Sequence, residues 1–222
     1  MKLNCVYRDV AELPGRLPVF PLAGALLLPR RPIQLNIFET RYLSMLDDAL
    51  SGERLIGMIQ PQEGENAEAP RPALQQVGCA GRIVQYAEIG DGRCFLALLG
   101  VARFRTLEEL VVSTPYRQLK VDYSPFAADL EEGAGEADVD RPALLDALGK
   151  FAEAHKIEID WSDVKGASNE ALVNGLSMMS PYGAKEKQAL LEAKDLRSRA
   201  DMLVAISQVE LARGADQSRA LH

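Results

Sequence analysis

Ile33-Gln34-Leu35-Asn36-Ile37-Phe38-Glu39-Thr40-Arg41-Tyr42 changes period in its middle. Ile33, Leu35 and Ile37 alternate with polar neighbours, the two-residue period of a strand with one buried face. From Phe38 onward the apolar residues fall at Phe38, Tyr42, Leu46, Ala49 and Leu50, the spacing of one helical face, and Gly52 supplies a stop. A strand that runs straight into a helix predicts a mixed fold, and the same test of period sorts the rest of the chain.

Upstream, Leu17-Pro18-Val19-Phe20-Pro21-Leu22 is apolar, but two prolines exclude a helix and favour an edge strand. Leu26, Leu27 and Leu28 form a second short run closed by Pro29, too short to cross a bilayer. Downstream, residues 54–61 read as a buried strand and 62–76 as a surface loop rich in Glu, Gly, Ala and Pro. Residues 78–89 and 93–99 flank Gly90-Asp91-Gly92, a hairpin signal. Gly100 separates the second of these from a strand over 101–106, and 116–123 adds another. The first 125 residues therefore predict a closed or nearly closed β-barrel with one helix, since closure removes exposed strand edges. Residues 126–140, rich in Ala, Gly, Glu and Asp, read as a mobile acidic linker. Past it, Asp140 suits an N-cap and Pro142 a first helical turn. Leu144, Leu145, Leu148 and Phe151 share one face, and further helical patterns over 168–179, 185–193 and 195–213 make residues 141–222 a helical subdomain. The fold class expected is α+β, a barrel followed by an α-helical bundle.

Net charge is −7, and it is unevenly placed. Residues 1–125 carry 14 basic and 14 acidic side chains, and residues 126–222 carry 11 and 18. An acidic chain without a basic stripe is a poor partner for nucleic acid, which needs cations to displace phosphate counterions. Cys5, Cys79 and Cys94 are odd in number and form no C-x-x-C, which argues for free thiols and a reducing, cytoplasmic setting. No secretory segment or membrane span is expected.

Groups for catalysis do not converge. The sequence has no G-x-x-x-x-G-K-[ST] and no G-x-G-x-x-G. His155 is read as a helix C-terminal residue, and His222 ends the sequence, so a Ser–His–Asp triad or a histidine metal site is not expected. Ser168, Ser177 and Ser180 with Lys185 or Lys187 are read as polar helix surface rather than a dyad. Asp47-Asp48, Glu108-Glu109 and Glu131-Glu132 are adjacent pairs, which do not face one another on a helix. No catalytic residue, metal or cofactor is expected. Arg30-Arg31 on a turn could meet an acidic peptide or a phosphate, although a solvent-facing turn explains them as well. Arg103 and Arg105 are expected to pair with Glu39 or another carboxylate.

Six of these segments, in order across residues 17–116, resemble the N-terminal domain of the Lon protease family. They are Leu17-Pro18-Val19-Phe20-Pro21-Leu22, Leu27-Leu28-Pro29, Ile37-Phe38-Glu39-Thr40-Arg41-Tyr42, Val77-Gly78-Cys79-Ala80-Gly81-Arg82-Ile83 with its Asp91-Gly92-Arg93 turn, Gly100-Val101-Ala102-Arg103-Phe104-Arg105, and Pro115-Tyr116. Pro32 and Tyr182 are departures from the usual pattern. The resemblance implies a PUA-like barrel, a helical subdomain and a part in substrate recognition. It makes Pro18, Pro21, Phe38, Glu39, Arg41, Tyr42, Gly78, Gly100, Arg103 and Phe104 determinants of the fold, with Phe38 and Tyr42 in the core. Full-length members carry an ATPase motor and a Ser–Lys peptidase further along, and this sequence ends ahead of both. The expectation is a non-catalytic module whose partner is an unfolded or specific polypeptide, within a protease system, with no nucleic acid and no membrane. Leu26, Leu27, Arg30 and Arg31 are the candidate partner-binding residues. The alternative is a small-molecule or RNA binder on the same kind of barrel, by fold analogy alone.

Overall fold

The computed structural model describes residues 6–63, 71–156, 158 and 160–220, with backbone alone at residue 155 and over 213–220. Cys5, the centre of the expected 62–76 loop, the His155 side chain and His222 lie outside the described residues. The chain divides into two compact units. The first joins Met1–Glu132 to Tyr182–Leu191, and the second joins Gly133–Pro181 to Glu192–His222.

Six strands build the first unit: β1 (Arg16–Pro21), β2 (Pro32–Ile37), β3 (Leu55–Ile59), β4 (Val77–Gly90), β5 (Arg93–Glu109) and β6 (Gln118–Asp122). Their order is β2-β5-β4-β3-β1-β6, and β6 also pairs with β5. Five strands thus close into a ring, while β2 lies outside it along the first half of β5, from Ile37↔Cys94 to Pro32↔Leu99. β1 and β3 are parallel, and every other pairing is antiparallel.

β5 is one strand where the sequence predicts two, and Gly100 explains why. A Cβ there would lie 2.0 Å from the Leu28 carbonyl oxygen, so only glycine admits that backbone. Arg30 N–H donates to the Gly100 carbonyl at 2.8 Å, and Gly100 N–H donates to the Arg31 carbonyl at 3.0 Å. The glycine marks a close crossing of two chain segments and not an end of the strand. Opposite it, the register slips by one between Ala80 and Gly81. β5 therefore serves the ring with its second half and carries β2 with its first.

The barrel interior is filled by Leu17, Val19, Leu55, Ile59, Ala80, Phe104, Leu119 and Val121. Phe104 is fully buried, and its ring occupies the space a side chain at Gly78 would need, 2.4 Å from an added Cβ. Helix α1 (Thr40–Ser51) buries Tyr42, Met45, Leu46 and Ala49, and the Tyr42 ring lies 4.3 Å from that of Phe20. Phe38 is not part of this face. The helix begins at Thr40 with Glu39 as N-cap, Ile37 is buried as the last residue of β2, and Phe38 between them is 65% exposed. The helical period assigned to Phe38 belongs to a residue two positions before the helix.

The stretch expected as a mobile linker is ordered in part as turns of 3-10 helix. Residues Ser124–Leu130 form one, with Phe126 and Asp129 buried, and Glu136–Asp138 form another. The helix over Ala184–Glu192 departs from expectation in its place. Sequence order assigns it to the helical bundle, yet Tyr182–Leu191 belongs to the barrel unit. There Gln188 Nε2 donates to the Val77 carbonyl at 3.2 Å, and Leu190 is fully buried.

The helices after α1 are α2 (Arg141–His155), α3 (Trp161–Gly166), α4 (Asn169–Met179), α5 (Ala184–Glu192) and α6 (Leu196–Ala220). Asp140 caps α2 by accepting from Ala143 N–H, and Ser168 caps α4 by accepting from Ala171 N–H, which satisfies first-turn donors. The short α3 is absent from the sequence reading, and Asp160 caps it. In the second unit, Arg199 Nη1 donates to Asn174 Oδ1 at 2.8 Å, joining α6 to α4. Among the described residues no helix is long and apolar enough to cross a membrane.

Candidate functional site

Arg103 sits on β5 with 3% of its surface exposed. A guanidinium cannot be buried at tolerable cost without partners. Asp129, from the 3-10 turn, supplies them: Arg103 Nε donates to its Oδ2 and Nη2 to its Oδ1, both at 2.8 Å. The backbone N–H of Arg103 also donates to Asp129 Oδ2, at 2.9 Å, and Nη1 donates to the Leu191 carbonyl at 3.0 Å. The guanidinium lies 4.4 Å from the centre of the Phe126 ring. This group ties β5, the 3-10 turn and the end of α5 within the first unit. Its carboxylate is Asp129 and not Glu39, which instead holds the exposed Arg41 at 2.6 Å. Arg105, two residues along, is exposed.

The candidate binding residues meet a different fate. Leu26 and Leu27 are 3% and 1% exposed, so neither can meet a partner. The apolar run they form fills core, as an uninterrupted aliphatic run does more often than it makes surface. Arg30 adopts positive φ and donates through Nη1 to the Asp129 carbonyl at 2.5 Å. Arg31 is half-buried beside it. These two arginines therefore form no open pair on a turn. Among the barrel motif residues, Tyr42, Gly78, Gly100, Arg103 and Phe104 are buried, Pro18, Pro21 and Glu39 half-buried, and Arg41 exposed.

Clefts among the described residues of the first unit include two with polar lining. One, of about 160 Å³, is lined by Arg16, Leu17, Pro18, Asp48, Glu53 and Tyr116 among others. Tyr116 donates to Asp48 Oδ2 at 2.5 Å, and burial together with that carboxylate pushes its hydroxyl up to about 12. The other, of about 250 Å³, lies between residues 60–63, Gln75 and the start of α5. Gln60 there accepts from Gly24 N–H and donates to the Ala184 carbonyl and Gln188 Oε1. In both, the buried polar groups brace the fold.

The surface that sequence reading missed lies on the β4–β5 hairpin where it runs beyond β3. The first seven residues of β4 are buried and the last seven are exposed. The exposed half contains Val84, Tyr86 and Ile89, each about half exposed. Gly90, Asp91 and Gly92 all take positive φ in the turn, as the hairpin signal predicts. Tyr86 is opposite Leu96, which is opposite Leu35, so one row of apolar side chains crosses three strands. Ile37, Cys94 and Glu88 form the next row, and Phe38 follows directly at the same end of the sheet. Leu35 and Leu96 are covered to differing degrees, while Tyr86 and Phe38 at the margin are open. A signal was present in the sequence: Val84 and Tyr86 keep the two-residue period, while Ile83 before them and Ile89 after them break it.

Residues 16–208 match the family model described as the ATP-dependent protease La (LON) substrate-binding domain. Among curated relatives, the Lon protease of Flavobacterium johnsoniae is 27% identical over 207 residues, covering 90% of this chain and 25% of that protein. Lon protease 2 of Myxococcus xanthus is 26% identical over 204 residues, covering 88% and 24%. The chain thus spans about a quarter of the length of these relatives. Among solved structures, a Lon N-terminal domain protein from Xanthomonas campestris superposes with a TM-score of 0.61 at 23% identity, covering 86% of this chain and 97% of that one. The N-terminal domain of a Mycobacterium avium complex Lon protease gives 0.63 at 18%, covering 87% and 98%. At these identities the likeness is one of fold.

Proposed function

Because the chain belongs to the Lon substrate-binding domain family, we propose that it is a non-catalytic polypeptide-binding module and that the exposed half of the β4–β5 hairpin holds the bound chain. The observation that carries this reading is the run of seven exposed strand residues, 84–90, with Val84, Tyr86 and Ile89 open to solvent. Three apolar side chains exposed within six residues of one strand support a place where another chain sits. Tyrosine is favoured at such places because its ring is apolar and its hydroxyl stays hydrated. The partner is an unfolded segment, or a specific protein that displays one, in the service of a cytoplasmic protease system. The module itself supplies neither ATP hydrolysis nor peptide cleavage. RNA or a small molecule is the second reading. The acidic balance of −7 weighs against RNA.

The test is fluorescence anisotropy of a labelled, reduced and carboxymethylated α-lactalbumin titrated with the protein without ATP, with single-stranded RNA as control. Saturable binding to the unfolded chain alone is expected, weakened about tenfold by Tyr86→Ser with Ile89→Ser, or roughly 1.4 kcal/mol. No binding at up to about 100 µM, weaker than roughly −5.5 kcal/mol, overturns the reading.

A further inference from the structure

We infer that the outer edge of β4 takes a polypeptide in extended form, as an added strand, and that Glu88 selects a basic side chain in that strand. This rests on the assignment of the hairpin surface to polypeptide binding and adds how the chain is held.

β4 is fourteen residues long and β3 is five. β3 pairs with β4 only from Leu55↔Arg82 to Met58↔Cys79. The last bond on that side is Ile83 N–H donating to the Arg54 carbonyl at 2.9 Å. From there to Gly90, β4 pairs with β5 alone among the described residues. Over residues 85–88 its outward N–H and C=O groups form a short row at strand spacing. A helix cannot satisfy such a row, whereas an extended backbone can.

Natural edges are blunted by proline, lysine or bulges. The edge of β2 opens with Pro32, which has no N–H to offer. Residues 84–90 of β4 contain neither proline nor lysine. Bulges between Ile83 and Gln85 and between Glu88 and Gly90 blunt the two ends of this edge and leave residues 85–88 as its regular, open part. So short an edge offers few backbone bonds, which favours a transiently held chain over the larger interface of a stable second copy. Glu88 is the one charged residue on the edge, so a lysine or arginine opposite it is favoured and an acidic residue is disfavoured.

The probe is the labelled peptide Lys-Val-Gln-Val-Lys-Val-Gln-Val-Lys, measured by anisotropy against the full chain beside the unfolded α-lactalbumin. Two further versions carry backbone N-methyl groups on one or the other alternate set of residues, and a fourth replaces lysine by glutamate. A strand pairs through one edge only, so one methylated set weakens binding about tenfold and the other leaves it within about threefold. The glutamate peptide binds about threefold more weakly than the parent, and Glu88→Lys reverses that order. If both methylated sets bind like the parent while the unfolded protein still binds, side-chain contact alone holds the chain and strand addition is overturned. If neither peptide nor unfolded protein binds, the polypeptide-binding reading itself has failed. A concentration-dependent dimer in sedimentation, abolished by Glu88→Lys, assigns the edge to a second copy and also overturns the proposal.

Discussion

Replacing Asp129 by alanine leaves the Arg103 guanidinium buried without its carboxylate, the costly way to break an ion pair. The expected loss is about 3–5 kcal/mol, read as a large fall in melting temperature. Glu39→Ala removes a pair whose side chains are 42% and 46% exposed, and the expected loss is at most about 1 kcal/mol. Equal losses from the two variants would contradict this account. Glu109 supplies the pH-sensitive counterpart. The Arg117 guanidinium hydrogen-bonded to it holds its carboxyl below the ordinary 4.5, with burial opposing and Arg71 adding. A carboxyl whose folded value is depressed contributes stability that is present above its unfolded value and lost as pH falls through the folded one. Glu109→Gln should therefore narrow the difference in melting temperature between about pH 6 and pH 3. An unchanged difference would mean that the two arginines do not hold the ionised form. At this scale the sequence was partly legible. A strand arginine needs a carboxylate, but no local pattern points from residue 103 to residue 129.

At the scale of elements, α5 is the instructive case. Its apolar spacing reads correctly as a helix, because helical period is local. Its place does not, because it is set by which surface buries Leu190 and Leu191 and satisfies Gln188. Leu190→Ala opens a cavity expected to cost about 2–5 kcal/mol. In hydrogen exchange the loss of protection should fall on β3, β4 and β5, which share the first unit with α5. Loss confined to α2, α4 and α6 would place α5 with the bundle instead. β4 shows the same limit from the other side. Its hairpin turn is announced by Gly90-Asp91-Gly92, yet where β3 stops covering it depends on the length of another strand. The exposed half therefore carries no local mark beyond its broken alternation.

For the whole molecule, binding of an unfolded chain to an apolar strand surface predicts a negative heat-capacity change, measurable by titration calorimetry at several temperatures. A value near zero would point to a polar site instead. By itself the sequence determined the α+β class, most helix and strand positions, the hairpin turn and the family, because period, turn chemistry and ordered motifs are properties of neighbouring residues. Tertiary structure alone decided that Leu26 and Leu27 are core while Phe38 and Tyr86 face solvent. It alone brought Asp129 to Arg103 and residues 182–191 to the barrel. The physical reason is the same in each case. Burial and ion pairing depend on what arrives from a distance in the chain, and an apolar residue looks alike in sequence whether it fills a core or waits at an open edge.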